Sequence, residues 1–203
     1  MLDIGSGVGR TAIALSTYLN QEGSYNGFNV VKKGVEWCNK GLGKDFPNFN
    51  FRYVSVFNDL YNTAEVKATE FEIPYKTADF NKVFSFSLFT HMQLEEIQHY
   101  FFEIERILKP KGLCFPTFFL YNSESEDSIF KRNGFSFPYK GENFRLMHES
   151  VKSGNIAIHE DTLKGMLNKA NLKCVKIVDG YWKDYIRDKS KKEYQDIVVF
   201  EKV

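Results

Sequence analysis

The sequence lacks the features that mark membrane-spanning or secreted proteins. No apolar run in its 203 residues approaches the roughly 20 residues that a transmembrane helix needs. The first residues, MLDIGSGVGR, contain no charged segment followed by an apolar one, which a secretory signal requires. We therefore expect a cytoplasmic protein without a membrane partner.

Cysteine is scarce, and the charges nearly cancel. The three cysteines, Cys38, Cys114 and Cys174, form no CxxC pair and no cluster with histidine, so we expect reduced thiols and no metal site. Lysine and arginine number 27 and aspartate and glutamate 26, so the chain lacks the positive charge that nucleic-acid binding uses. The mixed-charge run RDKSKKEYQD, residues 187–196, is interpreted as a solvated loop. A small molecule or a neutral polymer is the expected partner.

The composition and the order of the hydrophobic patterns indicate one α/β domain over residues 1–203. Hydrophobic residues make up 43% of the chain, which is enough to fill one core. Strand and helix patterns alternate over the first two-thirds, as is typical of a parallel sheet. Strands are predicted at residues 2–4, 25–30, 49–54, 82–87 and 113–120, and helices at residues 11–21, 33–42 and 93–108. A helix at residues 160–170 then leads to two antiparallel strands, residues 173–179 and 196–202.

The helix predicted at residues 93–108 has the clearest pattern. In QLEEIQHYFFEIERILKPKG the apolar residues recur at spacings of three and four, and Thr90 and Gln93 stand where a capping box would place them. Pro116 in the following strand must lie where no ladder hydrogen bond is needed. Residues 121–157 are polar and poorly periodic, so we interpret them as an insertion that crosses the top of the sheet.

The most informative motif is LDIGSGVGR at residues 2–10, in which a short strand runs into glycines spaced as GxGxG. Glycine lets the chain turn sharply and lets a ligand approach the backbone, and the N–H groups of the following helix can bind a carboxylate or phosphate. A dinucleotide-binding loop would need glycine in place of Arg10, whose bulk would block close helix–strand packing. A nicotinamide-dependent oxidoreductase is therefore disfavoured. A tight turn without a ligand is another alternative.

With other segments, this motif resembles the class I S-adenosylmethionine-dependent methyltransferases over nearly the whole chain. The matching segments are SYNGFNVVKKGVEWC, FRYVSVFNDLYN, FNKVFSFSLFTHM, ERILKPKGLCFPTFF, GYWKDY and YQDIVVFEKV. The resemblance implies a Rossmann-like methyltransferase fold, with a mostly parallel sheet and an antiparallel C-terminal strand pair. SLFTHM and YFFEIERILKPKG also resemble a bacterial branch found with genes for surface-glycan synthesis, which implies an O-methyltransferase acting on sugars. The insertion at residues 121–157 would then lie on the acceptor side.

The resemblance implies S-adenosylmethionine as the cofactor and assigns its site by position. The implied cofactor residues are Asp3, Gly5, Gly7 and Gly9 at the methionine end, Asn29 with Val30 at the ribose, Ser55 and Val56 at the adenine, and Phe86 and Ser87, which close the pocket from the fourth strand.

Several positions depart from the family pattern. Asn29 is an amide where a carboxylate usually accepts both ribose hydroxyls, so weaker cofactor binding is expected. Ser55 replaces another commonly acidic residue, and Lys111 stands where the family's turn has glycine. The chain also begins inside the first strand, without the upstream helix that covers the cofactor, so an N-terminally truncated fold or an open pocket is expected. These departures leave open a binding protein of this fold with weak or lost catalysis.

Four histidines and one carboxylate are considered for catalysis. His91 follows the fourth strand at the carboxyl end of the sheet, so it is the candidate base for an acceptor hydroxyl, although it could also be a locally bonded helix residue. His148 and Glu149 are candidates for the acceptor site or for a solvated loop pair. His159 is interpreted as structural at a helix start, and His99 as exposed on a polar helix face.

Late aromatic residues could stack on a sugar ring or serve as core and lid. They are Tyr121, Phe137, Tyr139, Tyr181 and Trp182. Taken together, the sequence predicts transfer of a methyl group from S-adenosylmethionine to an oxygen, or else a nitrogen, of a small molecule or glycan.

Overall fold

A computed structural model of the protein describes residues 1–132, 137–151, 153–183, 190 and 193–203. Of the mixed-charge run, residues 187–189, 191 and 192 lie outside this part of the chain. None of the helices in the described ranges combines the length and the apolar character needed to cross a membrane.

Five parallel strands form the centre of the sheet. They are β1 Leu2–Ile4, β2 Tyr25–Asn29, β3 Phe49–Tyr53, β4 Phe80–Ser85 and β5 Leu108–Tyr121. Their order across the sheet is β3-β2-β1-β4-β5, with parallel pairing at every step. The direction of winding reverses beside β1, which opens a crevice at the carboxyl ends of β1 and β4, where such sheets bind ligands. The predicted Rossmann-like parallel sheet is confirmed.

Helices connect these strands and supply much of the core. In the described residues they are α1 Arg10–Ser16, α2 Lys32–Lys40, α3 Leu42–Asp45, α4 Leu94–Ile107, α5 Glu126–Arg132 and α6 Glu160–Lys169. The three- and four-residue spacing in α4 buries Ile97, Phe101 and Ile104 completely in the main core. Short helices α1 and α2 pack around Tyr25 and Phe49 in a second cluster.

The first helix ends at Ser16, earlier than the predicted residue 21. The Ser16 Oγ donates to the carbonyl of Ile13 at 2.8 Å, and the Thr17 Oγ1 donates to that of Ala14 at 3.2 Å. Because such hydroxyls compete with the backbone ladder, they favour the end of a helix over its continuation.

The capping box of α4 differs from the predicted pair of Thr90 and Gln93. Gln93 is itself the N-cap residue, and its backbone N–H donates to the Glu96 Oε2 at 2.7 Å. Thr90 lies one turn earlier, buried in a short 3-10 helix at Phe89–His91. The box therefore begins three residues later than predicted.

The segment predicted as an irregular crossing adds strands to the sheet. β8 Ile156–His159 pairs in parallel with the end of β5, and β7 Phe144–Leu146 and β6 Tyr139–Lys140 follow in antiparallel order. The sequence did not predict these strands, because strands of two to four residues are too short to show alternation.

The predicted antiparallel pair at the C-terminus is confirmed. β10 Asp196–Lys202 lies between β5 and β9 Leu172–Val178 and runs antiparallel to both. Its pairing with β5 includes Cys114 and Thr117 but omits Pro116, so the proline lies in a gap of this ladder.

Candidate active site

The loop between β1 and α1 holds its three motif glycines in the left-handed region, with φ of 81° at Gly5, 55° at Gly7 and 80° at Gly9. Side chains with a Cβ are disfavoured in this region. A Cβ at Gly9 would lie 2.8 Å from the Leu42 Cδ1 and 3.1 Å from the Cys38 Sγ, whereas one at Gly7 would meet nothing within 4 Å. Gly9 is therefore needed for packing, and Gly7 leaves the backbone open to approach.

Two cavities meet at this loop. We name them the Asn29 cavity, of about 350 Å³, and the Asp3 cavity, of about 650 Å³. Each lies in the size range of small-molecule sites, roughly 300–1,000 Å³. The residues that border both are Gly5, Gly7, Val8, Arg10, Phe86 and Ser87. A ligand that crosses the glycine loop would therefore occupy both cavities.

The Asn29 cavity is enclosed by the end of β2, the chain after β3 and the start of α4. Its predicted residues are Asn29, Val30, Val56 and His91, besides the shared glycines, Phe86 and Ser87. The sequence patterns did not reveal Val31, Gly34, Phe57, Tyr61, Met92 and Tyr100, which also line it. Phe57 and Tyr61, two aromatic residues in the polar chain after β3, were the available signal in the sequence, and both are exposed in the structure.

The side chain of Asn29 folds back onto its own turn. Its Oδ1 accepts the Val31 N–H at 2.7 Å, so one acceptor is already engaged. The other terminal group of an amide is a donor, which leaves fewer acceptor sites for a ribose than a carboxylate would offer.

Asp3 gives the Asp3 cavity a buried acid. The residue is 2% exposed, and its Oδ2 accepts the Tyr25 hydroxyl at 2.6 Å. Burial raises the pKa of Asp3 to about 6, against the lowering effect of hydrogen bonds from Tyr25 and Thr11. The buried Ser6 Oγ in the same cavity has no hydrogen-bond partner among the described residues. These groups fit the charged amino-acid end of a ligand.

His91 ends the short helix after β4 and lines the Asn29 cavity. Its Nδ1 lies 2.9 Å from the Ser153 carbonyl oxygen, and the Tyr61 ring packs edge-on at 6.3 Å between centroids. Because a carbonyl can only accept, this contact assigns the proton of the neutral ring to Nδ1 and leaves a lone pair on Nε2. The Ser153 N–H in turn donates to the Asp59 Oδ1 at 3.1 Å.

Several predicted residues lie away from the two cavities. Ser55 is exposed and lines neither of them, because it alternates with the buried Val54 and Val56. His148 and Glu149 are also exposed and line neither cavity.

The remaining two histidines have structural contacts. His159 is the N-cap of α6, where its Nδ1 accepts the Asp161 N–H at 3.2 Å. His99 is half-buried, and its Nε2 lies 2.9 Å from the Phe71 carbonyl oxygen, so the prediction of an exposed His99 was wrong. Its position on α4 faces the chain before β4, which the helical pattern did not show.

Most of the late aromatic residues belong to a core. Tyr121, Phe137 and Trp182 are at most 2% exposed and pack with Phe119 in a third core cluster. Burial removes these three from any sugar-stacking surface. Among the described residues, no group of three or more histidine, cysteine or acidic side chains is arranged to hold a metal ion.

The reversed winding, the left-handed glycine loop and the paired cavities define a Rossmann-like ligand-binding fold. The methyltransferase domain family matches residues 2–115, more than half of the chain, and the protein therefore belongs to that family. The prediction of a methyltransferase enzyme is confirmed, and S-adenosylmethionine is the cofactor of that class.

Solved structures share the fold at low sequence identity. An S-adenosylmethionine-dependent methyltransferase from Mesorhizobium loti has a TM-score of 0.66 and 11% identity, covering 98% of this chain and 89% of that chain. One from Methanosarcina mazei has a TM-score of 0.64 and 16% identity, with 100% and 91% covered. The 1,6-didemethyltoxoflavin-N1-methyltransferase from Burkholderia thailandensis, with S-adenosylhomocysteine bound, has a TM-score of 0.63 and 15% identity, with 100% and 70% covered.

Proposed function

We propose that the protein transfers the methyl group of S-adenosylmethionine to a hydroxyl of a small molecule or glycan, and that the cofactor lies across both cavities. The observation that carries this proposal is the junction of the Asn29 and Asp3 cavities at the glycine loop. One cavity offers a buried carboxylate, and the other offers the polar end of β2. These groups suit the amino-acid end and the ribose of a single ligand.

Each part of the proposed cofactor site has its own residues. The Asp3 carboxylate pairs with the ammonium group of the methionine end, and the open backbone at Gly7 lets this end approach. Asn29 binds the ribose, while the buried Val56 packs against the adenine. Gly9 supports the loop from behind, where it contacts α2 and α3.

His91 is the proposed base. S-adenosylmethionine supplies the methyl group, and the acceptor hydroxyl loses its proton as its oxygen takes that group. Nε2 of His91 receives the proton, because the Ser153 carbonyl holds the ring with its own proton on Nδ1. Tyr61 packs against the ring and limits its rotation.

Residues 121–157 are proposed as an acceptor-side insertion within a single domain of residues 1–203. Support comes from Ser153, which links this segment to His91 and to Asp59.

A glycan acceptor is supported by the resemblance of SLFTHM to the surface-glycan branch and by the near-zero net charge. The fold by itself does not determine which atom of the acceptor is methylated. One neighbour is named as an N1-methyltransferase and another as a C-methyltransferase of geranyl diphosphate.

Calorimetric titration tests the cofactor first. We expect saturable binding of S-adenosylmethionine and S-adenosylhomocysteine and no binding of NADH. Absence of binding by both adenosyl ligands would overturn the proposed site.

A transfer assay on a panel of sugars and small alcohols then tests catalysis. His91→Gln should lower kcat by about 10²–10⁴-fold, as loss of a general base does, with a much smaller effect on the Kd for S-adenosylhomocysteine. His148→Gln is the matched control, because His148 is exposed and lines neither cavity. Equal activity of the two variants would exclude His91 as the base.

The second candidate function is a binding protein of this fold with weak or lost catalysis. The amide at Asn29 supports it, because weak ribose contacts reduce cofactor affinity. Binding of S-adenosylhomocysteine with no transfer to any acceptor on the panel would favour this alternative.

A further inference from the structure

We propose that Thr117 and Gln195 are positioning residues that hold Ser87 in the backbone conformation that binds the cofactor. This inference rests on the proposed function, because it assigns Ser87 to the cofactor site. Thr117 lies in β5, and Gln195 directly precedes β10. The sequence analysis assigned neither of them to the cofactor site.

Ser87 follows β4 in a conformation that residues with a side chain rarely adopt. Its φ is 54°, in the left-handed region. Such a conformation persists only where the surroundings impose it, and it is frequent at functional sites. Ser87 also borders both the Asn29 and the Asp3 cavities. Its conformation therefore shapes the wall that the two cavities share.

A closed set of hydrogen bonds holds this residue. The Ser87 N–H donates to the Thr117 Oγ1 at 2.8 Å, and the Thr117 Oγ1 donates to the Gln195 Oε1 at 2.6 Å. The Ser87 Oγ donates to the same Gln195 oxygen at 2.9 Å. Both the backbone and the side chain of Ser87 are thus bound, which accounts for the left-handed conformation.

The neighbour of Gln195 fixes this set of bonds to the sheet. Asp196 is fully buried, and its carboxylate accepts the Leu120 N–H at 2.7 Å and the Gly180 N–H at 2.8 Å. The Trp182 indole N–H donates to the same carboxylate at 2.7 Å. Gln195 consequently has a defined position relative to β5, and it transmits that position to Ser87.

The first test measures the Ser87 amide directly, without any ligand. Thr117→Val removes the hydroxyl at nearly constant volume, so hydrogen exchange of the Ser87 amide, followed by NMR, should become at least tenfold faster. Thr117→Ser keeps the hydroxyl and should restore the slow exchange. Thr90→Val is the matched control, because Thr90 is buried and its Oγ1 has no hydrogen-bond partner in the described part of the chain.

The second test measures the Kd for S-adenosylhomocysteine. Thr117→Val and Gln195→Met should each weaken binding by about tenfold, whereas Thr117→Ser and Gln195→Glu, which keep the hydrogen-bonding oxygen, should bind nearly as the parent protein does. Gln195→Met also tests the inference, from the segment before β10, if Thr117→Val folds poorly.

Unchanged exchange of the Ser87 amide in Thr117→Val would overturn the inference. Faster exchange with an unchanged Kd in both apolar variants would also overturn it, because Ser87 would then be held without serving the cofactor. If the parent protein binds no adenosyl ligand, the proposed function fails. The exchange experiment still reports separately on the contact between Thr117 and Ser87.

Discussion

Asn29 and Asp3 stand at opposite ends of the proposed cofactor site and differ in their surroundings. Asn29 is at a strand end, where its carbonyl oxygen is engaged by the Val31 N–H. Asp3 is buried, and the Tyr25 hydroxyl binds its carboxylate. In the proposed site, Asn29 limits cofactor affinity because it offers few free acceptors, and Asp3 contributes a charge that depends on pH.

Asn29→Asp should tighten the binding of S-adenosylmethionine by about tenfold. One carboxylate oxygen can keep the Val31 N–H while the other accepts a ribose hydroxyl, and a charged hydrogen bond contributes about 1.5–3 kcal/mol. Calorimetric titration of the parent and the variant measures the change. Asn29→Leu serves as the control and should bind more weakly than the parent. Equal affinity of all three proteins would show that residue 29 does not touch the ribose.

Cofactor affinity should fall between pH 7 and pH 5. Burial raises the pKa of Asp3 to about 6, so the carboxylate is ionised at pH 7 and mostly protonated at pH 5. Loss of its charge should weaken binding of the ammonium group by up to about tenfold across this range. Titrations of S-adenosylhomocysteine at both pH values measure the change.

Asp3→Asn should bind weakly at both pH values and lose most of this dependence. The contribution of Asp3 to stability has the opposite sign. Because its pKa in the folded state lies above the ordinary value of 3.8, protonation favours the fold, and the contribution of Asp3 to the free energy of unfolding should rise as the pH falls from 6 to 4. Unfolding of the parent and of Asp3→Asn measures this contribution as their difference in stability, and a difference that moves against the parent below pH 6 would contradict this account.

Lys111→Gly should stabilise the protein relative to Lys111→Ala by about 1 kcal/mol. Lys111 has a φ of 64°, in the region where a Cβ costs about 1–2 kcal/mol. Both variants lose the exposed ion pair with Glu201, so their comparison isolates the backbone term. Thermal or urea unfolding of the two variants measures the difference. If alanine equals glycine here, the left-handed conformation carries no strain.

At the scale of the element, the glycine loop joins β1 to α1 and also packs against α2. The Gly5 and Ser6 N–H groups both donate to the Phe28 carbonyl at 3.0 Å, so the loop is attached to the neighbouring strand β2. α2 approaches so closely that a Cβ at Gly34 would lie 3.0 Å from the Gly7 carbonyl oxygen. The packing of the helices against the loop and the access of a ligand to the loop backbone are therefore separate requirements.

Gly9→Ala and Gly7→Ala should separate these two requirements. The Gly9 substitution adds overlap with Leu42 to backbone strain, so it should destabilise the fold by about 2–4 kcal/mol. Gly7→Ala has only the backbone strain and should cost about 1–2 kcal/mol. Its larger effect should be on the Kd for S-adenosylhomocysteine, because the new methyl group enters the space of the ligand.

Unfolding curves and titrations of both variants provide the measurements. Equal loss of stability in the two would show that Leu42 moves aside, and unchanged affinity in a folded Gly7→Ala would place the ligand elsewhere.

At the scale of the whole molecule, the candidate base depends on three separate segments. His91 follows β4, Ser153 belongs to the insertion before β8, and Asp59 belongs to the chain after β3. The contact of His91 with Ser153 spans 62 positions, and that of Ser153 with Asp59 spans 94. The orientation of the imidazole is thus a property of the assembled sheet.

Asp59→Ala should lower kcat by about ten- to a hundredfold, the range expected when a catalytic group is displaced by a fraction of an ångström to about 1 Å. The substitution removes the acceptor of the Ser153 N–H and leaves His91 unchanged in sequence. Transfer kinetics with the acceptor found in the screen measure the effect. Glu65→Ala, at another exposed acidic residue in the chain after β3, is the control and should retain full activity. Full activity of Asp59→Ala would show that Ser153 is held by other means.

Local patterns in the sequence account for the glycine loop, the alternation of strands and helices and the amphipathic α4. These features depend on residues within one turn or one strand of each other, for which spacing and backbone preference are sufficient. The same local rules bring Asp3, which lies in β1, and the following Gly5 and Gly7 to the two cavities. Ser55 was assigned by position alone, and the alternation of buried residues around it turned it outwards.

Tertiary structure alone decided the strands of the insertion, the burial of Tyr121 and Trp182, and the partners of His91 and Ser87. The bond from the Ser87 Oγ to Gln195 spans 108 positions. No periodicity marks such a pair, because the residues meet only when β10 enters the sheet beside β5. The sequence by itself determined the family and the glycine loop of the proposed cofactor site, through local backbone chemistry. The side chains that orient the site were decided by strand order, because distant segments meet only in the folded sheet.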